Sequence, residues 1–285
     1  MKTFRGAVIL LAASLLLSCR TADIRGADTV GFLTSSATVA AQASRPISDS
    51  EEYYVGRAVC ARILTQYQLI NNWRLTEYVN TVGTAVALFS DKPITYGGYH
   101  FGVLDTMEPN AFACPGGTIL VSKGMVMAAR TEDELAAVLA HEIAHIVNRD
   151  GVASIQQSRW SSALTAMGSR AVHTYGSANL SQIVTLFEGS IDDVFKTLVV
   201  NGYSRSAEMN ADEAAFGYLT KAGYNPQALR TVLETLNKSQ SGGGIMKTHP
   251  GTSDRIESLA KKGQAVQIHP AAQQSRDARF RAALQ

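Results

Sequence analysis

From residue 48 onward, apolar residues recur mostly at helical spacing, interrupted by short stretches that alternate apolar and polar, so the chain predicts helices packed on a small sheet. Ser48 with Glu51 makes a capping box that opens a helix to about Ile70, with Gly56, Cys60, Ile63, Tyr67 and Ile70 on one stripe. A second amphipathic helix follows, carrying Leu75, Tyr78, Val79, Val82, Val86 and Phe89 on its apolar face. Tyr99 to Asp105 alternates as a strand, and Thr118 to Ser122 reads as another. Thr131 with Glu134 caps the next helix. Leu135, Leu139, Ile143 and Ile146 then repeat until Asn148 and Gly151 offer a stop. Helical stretches are expected at Ile183 to Leu186 and Ile191 to Val199; a longer helix after Tyr203 is opened by serines and ended by Gly223, before Asn225 and Pro226 start another.

The first 47 residues follow other rules. Lys2 and Arg5 lead an apolar run from Ala7 to Leu17, shorter than the ~20 residues a membrane helix needs, so it reads as a targeting segment. It ends Leu16, Leu17, Ser18, Cys19, which resembles a bacterial lipobox with Cys19 as the lipidated residue; an ordinary signal peptide with an incidental Cys is the alternative. Arg20 stands where Asp would resemble an inner-membrane retention signal, which favours an outer-membrane home. Residues 1–18 are therefore expected as signal peptide and 19–47, small and polar, as a flexible tether.

Chemistry concentrates in His141 to Asp150, HEIAHIVNRD. His141 and His145, four apart on a helix, face the same way and can grip one metal ion; Glu142, one step round, can reach a water at the metal's open position and take its proton. A catalytic zinc needs a third protein ligand. The metzincin pattern asks for Gly at 148 and His or Asp at 151, where this chain has Asn148 and Gly151, and Asp150 is one place out of register and reads as a solvated helix-end acid. The other solution takes Glu208 from the helix after Tyr203. Asp212, four residues on, shares its face and can accept a hydrogen bond from a ligand imidazole.

Four segments in order, NAFACPGG with GTILVSKGM, ELAAVLAHEIAHI, YSRSAEMNAD and HPGTSDR, resemble the M48 metallopeptidases, a branch of the gluzincins, over about Ser48 to Leu259. The resemblance implies an α+β, mainly helical zincin (gluzincin) fold with a small mixed sheet beside the HExxH helix. It implies a peptidase domain over 48–260 with a short tail at 261–285, and the minimal lipoprotein form without the tetratricopeptide extension of some members. It also implies one Zn2+ held by His141, His145 and Glu208, Glu142 as catalytic base, and Asp212 behind the ligands. Asn110, Ala111, Phe112 and Ala113 would form the edge strand above the cleft, open to an extended peptide. Cys114 stands where a larger apolar residue is usual, and Asp150 where a His is common.

His249-Pro250 with Arg255 matches the family's HPxxxxR, whereas at His269-Pro270 the arginine, Arg276, sits one residue too far. Two roles are open for His249: donor to the tetrahedral oxyanion, or, with Ser241 to Gly244 as hinge, a fourth metal ligand that closes the site. His100 and His173 are expected to be ordinary structural or surface residues.

Charge excludes one class of partner. Without Lys2 and Arg5 the mature chain has 24 basic and 24 acidic residues, so no nucleic-acid surface is indicated. Cys60 and Cys114 either pair as a disulfide or, as the stripe suggests for Cys60, pack as small apolar groups. The expected function is a zinc-dependent endopeptidase of the cell envelope acting on unfolded or misassembled proteins. Its membrane contact is lipidated Cys19, and an oligomer or docking to envelope assembly machinery is left open. A lipoprotein chaperone that binds chains in the cleft without cutting is the alternative, and hydrolysis of a non-peptide amide a third reading.

Overall fold

In the computed structural model the described residues are 46–155, 188–189, 191–238, 244–262 and 270–285, all within one compact unit, Ala43–Gln285. Cys19, the signal segment and most of the tether lie outside them, as do 183–187, His173, His269 and the Ser241 to Gly243 part of the hinge. Among the described residues no helix is long and apolar enough to cross a membrane.

Helix α1 (Asp49–Ile63) starts on a complete capping box: Glu51 N–H donates to Ser48 Oγ, and Ser48 N–H donates back to Glu51. The buried core begins one residue before the expected boundary, because Ile47 is enclosed with Val55, Val59 and Ile63. The helix also stops seven residues earlier than its stripe suggests. Ile70 N–H donates to Val103 O and Asp105 N–H to Gln68 O, so residues 68–70 run extended along a strand edge whose backbone groups would otherwise lack partners. Helix α2 (Trp73–Ala87), capped by Asn72, buries Leu75, Val79, Val82 and Val86, while Phe89 falls beyond its end and is exposed.

Three strands form a mixed sheet in the order β1 (His100–Leu104), β3 (Thr118–Ser122), β2 (Ala111–Cys114), with β1 parallel and β2 antiparallel to β3. Both faces are covered. Ala111, Ala113, Ile119 and Val121 point into one apolar cluster with α2; Phe112, Cys114 and Leu120 point into another with α1, which is the period-two alternation of a strand. Helix α1 reaches the β2–β3 turn through Gly56, where a Cβ would lie 1.7 Å from Pro115 O.

After the short α3 (Lys123–Ala128) comes α4 (Glu132–Asn148), which carries the HExxH residues and is buried from Glu132 to Ile146. A helix enclosed on every side needs small residues for close neighbours. Ala136, Ala137, Ala140 and Ala144 share a cluster with Ala211 and Ala215 of α5 (Arg205–Lys221), the helix that packs most closely on α4. Only half of the expected capping box forms, since Thr131 Oγ1 accepts from Glu134 N–H while the Glu134 carboxylate turns to Arg130. The helix ends on Arg149, in the left-handed region at φ 60°, rather than on Asn148 or Gly151.

Residues 191–196 are helical and run into a π-helical turn, Thr197–Asn201, before α5. Helices α6 (Ala228–Lys238), α7 (Ile245–Thr248), α8 (Thr252–Lys261) and α9 (Pro270–Ala283) complete the chain. The stretch expected as a tail thus ends in a docked helix. Phe280 is buried against Tyr78, Arg279 pairs with Glu132, and Arg276 pairs with Asp133.

Candidate metal centre

His141 and His145 project from α4 with their Nε2 atoms 3.1 Å apart and their Nδ1 atoms turned away from each other, each to a carboxylate. His141 Nδ1 lies 2.9 Å from Asp212 Oδ1, and His145 Nδ1 lies 2.7 Å from Asp150 Oδ2. With Nδ1–H donating to the carboxylate, each Nε2 presents a lone pair to the common centre. Glu208 enters that centre from the first turn of α5, whose Ser204 cap accepts from Ala207 N–H. Its oxygens are 3.3 Å from His141 Nε2 and 3.4 Å from His145 Nε2. His249, just past α7, completes the group with Nδ1 at 3.0 Å from Glu208 Oε1 and 3.2 Å from His141 Nε2.

These spacings suit one cation. One donor atom from each of His141, His145, Glu208 and His249 lies within 4.8 Å of the others, and all four residues are buried. A tetrahedral ion with ligands at ~2.0–2.1 Å sets its ligand atoms about 3.3–3.4 Å apart, close to the separations here. Glu142, fully buried beside them, has both carboxylate oxygens without a hydrogen-bond partner among the described residues; His249 Nε2, at 3.7 Å from Oε1, is the basic group near it. A buried carboxylate without a donor is costly in a folded core, which makes it a candidate for a role with a bound water or substrate.

Electrostatics agree. Burial opposes ionisation of Glu208, but His249 and hydrogen bonds with all three imidazoles hold its carboxyl far below the usual range. Burial and Arg255 both favour neutral His141, yet Asp212 and Glu208 outweigh them and its pKa is pushed up to about 9.

Arg255, on α8, is a part of the site that the sequence pattern marks but does not explain. It is buried and grips Asp212 with two bonds, Nε to Oδ2 at 2.7 Å and Nη2 to Oδ1 at 2.8 Å, while Nη1 sits 2.7 Å from Glu208 Oε2. Against the cost of burial, His141 and Arg255 pull the Asp212 carboxyl down to about 2. Two more residues escaped the sequence reading. Asp150, expected in solvent, is His145's partner, and Tyr203 lies flat on the His145 ring at 4.1 Å. No local signal announces either: Arg149 is not a residue type that advertises a left-handed turn, and Tyr203 reads as an ordinary core aromatic.

Strand β2 lies at the sheet's edge, with Asn110 just before it, yet Asn110 and Ala111 to Cys114 are buried here. The α7 segment lies over its start: Ile245 N–H donates to Pro109 O and Thr248 Oγ1 to Asn110 Oδ1. His100 bonds Gly97 O at the surface, away from the centre. A small pocket opens beside His141 and Glu142, walled by Val138, Leu229, Val232, Leu233, Leu236 and Met246.

Residues 74–262, about two thirds of the chain, match the description Peptidase family M48. The chain belongs to that family. This M48 chain is 26% identical over 270 residues to the Beta-barrel assembly-enhancing protease of Escherichia coli K12, a match covering 93% of this chain and 53% of that protein. It thus spans about half the length of those relatives. It is 26% identical to Metalloprotease LoiP of Escherichia coli K12 over 90% of this chain and 96% of LoiP. To the Mitochondrial metalloendopeptidase OMA1 of Schizosaccharomyces pombe it is 30% identical, over 55% of this chain and 44% of that protein. The family uses zinc, and the four-residue cluster is the place that could bind it.

Proposed function

We propose that this chain is a zinc-dependent endopeptidase of the bacterial envelope, anchored through lipidated Cys19, facing the periplasm from the outer membrane, and acting on unfolded or misassembled envelope proteins. The observation that carries the reading is the convergence of His141, His145 and Glu208 beside Glu142, a buried carboxylate with no hydrogen-bond partner among the described residues. Membership of the M48 family and the likeness to proteases named for β-barrel assembly support the substrate class.

A zinc ion bound there would supply polarisation of the scissile carbonyl and lower the pKa of a water toward about 7. His141, His145 and Glu208 would hold the ion, with Asp212 orienting His141. Glu142 takes the proton of the attacking water and later passes it to the leaving amine. Burial around Glu142 keeps bulk water from competing for that proton.

His249 acts in two positions. With α7 seated, its Nδ1 takes the fourth place in the cluster and keeps water and substrate out. With α7 lifted, the imidazole is free to donate to the oxyanion, and the backbone of Asn110, Ala111, Phe112 and Ala113 becomes available to pair with an extended peptide. The same movement opens the apolar cavity beside Glu142 to a substrate side chain.

The test is capture in cells. Glu142→Gln should retain zinc and accumulate uncut envelope proteins that co-purify with it, while wild type shows their fragments. Equal fragment patterns in both would reject the endopeptidase in favour of a chaperone that binds without cutting.

A further inference from the structure

Arg149, with φ 60° and ψ 33°, is the one non-glycine residue at positive φ among the described residues, and it stands between the HExxH helix and Asp150. Had α4 continued, Asp150 would lie five residues past His145 and about 140° round the helix, out of its reach. The left-handed turn at Arg149 folds the chain back, so that Asp150 Oδ2 comes within 2.7 Å of His145 Nδ1. A β-carbon disfavours this conformation, which persists only where surrounding contacts hold it.

Those contacts come from the start of the fold. The Arg149 guanidinium donates to Ile47 O at 2.5 Å, pairs with Glu52 Oε2 at 3.1 Å, and lies 3.7 Å from Asp49 Oδ1. Glu52 is itself buried in the first turn of α1, where its other oxygen accepts from Gly116 N–H. On the far side, Tyr203 covers one face of the His145 ring. The imidazole is therefore held by a carboxylate at one edge and an aromatic plane on one face.

We propose that Asp150 is a positioning residue: it fixes the tautomer and direction of His145 for the metal, and the first turn of α1, through Glu52 and Arg149, holds Asp150 in place. Each ligand imidazole then has its own carboxylate, Asp212 behind His141 and Asp150 behind His145. Asp212 is shared with Arg255, whereas Asp150 belongs to a turn locked from the N-terminal end of the domain. The inference rests on the zinc reading above.

Zinc affinity tests it independently of activity. Chelator competition on the purified, metal-free chain should show Asp150→Ala weakening zinc 10–100-fold, the range found when such outer partners are removed. Asp150→Asn, which keeps an acceptor but no charge, should fall between Asp150→Ala and wild type. Arg149→Ala should weaken zinc in the same direction, and Asp150→Ala with Arg149→Ala together should be no weaker than Asp150→Ala alone, because both act through one contact. Circular dichroism of each metal-free variant checks that it is folded. A folded Asp150→Ala with zinc affinity within threefold of wild type overturns the proposal, as does full additivity in the double variant. If wild type binds no zinc at all, the zinc reading itself has failed; if wild type binds one zinc, His141→Ala abolishes it and Asp150→Ala matches wild type, only the positioning role has.

Discussion

Arg279→Ala tests whether the last helix is part of the peptidase fold. Glu132, the first residue of α4, is fully buried, and its carboxylate receives Arg279 through two nitrogens together with the hydroxyls of Tyr78 at 2.9 Å and Tyr224 at 3.1 Å. Removing one member of a buried ion pair costs ~3–5 kcal/mol because a charge is left unpaired. Here two phenols remain, the helix N-terminus favours a negative charge, and the Arg279 side chain is 49% exposed, so about 2 kcal/mol is expected. For a domain of this size that corresponds to a fall of roughly 4–8 °C in Tm. The assay is thermal unfolding of the zinc-saturated protein followed by circular dichroism. Replacing Glu132 by Gln in the Arg279→Ala background should restore part of the loss, since no charge then remains to be paired. A Tm within 1 °C of wild type for Arg279→Ala, or no recovery in the double variant, would refute the clamp.

Gly56→Ala should destabilise by about 1–3 kcal/mol in a urea titration, because the new Cβ meets the Pro115 carbonyl oxygen at 1.7 Å and backbone must shift; an unchanged midpoint would contradict the packing of α1 on the β2–β3 turn. In metal-free protein, His141 has a folded pKa of about 9, above its ordinary value of ~6.5. Its contribution to stability is therefore fully present below about pH 6.5 and lost as pH rises through about 9, so Tm should decline across that window without zinc and much less with it. Cys60, partly buried, and Cys114, buried, are free thiols. Alkylation without reductant should add two groups to 60 and 114 after unfolding, and in the native state should label partly exposed Cys60 before buried Cys114; a non-reactive pair would mean a disulfide.

Local chemistry carried most of the site. The four-residue spacings of His141 with His145 and of Glu208 with Asp212 survive into the fold because both pairs lie inside helices whose caps, Thr131 and Ser204, are short-range signals. Strands β1 and β3 also follow from short local runs, whereas β2 and the mixed order are expected only from the family resemblance. What stayed hidden depends on distant residues. Helix α1 ends at Ile63 because the edge of β1 recruits residues 68–70, and Asp150 reaches His145 because α1 stabilises a left-handed arginine. The docking of α9 rests on Arg279 meeting Glu132 across 147 positions, which no periodicity encodes. Burial of β2 beneath α7 likewise depends on a contact between distant residues, Ile245 N–H on Pro109 O, which no local pattern encodes.

Glu142 is proposed to perform the chemistry at a zinc held by His141, His145 and Glu208. Purified wild type and Glu142→Gln should each carry one zinc per chain, with circular dichroism spectra that superimpose. Wild type should cleave an unfolded protein such as reduced casein, lose that activity to chelator and regain it with zinc, while Glu142→Gln should be slower by at least about 100-fold, the usual contribution of a general base. Cleavage by Glu142→Gln at the wild-type rate, with zinc still bound, would contradict it.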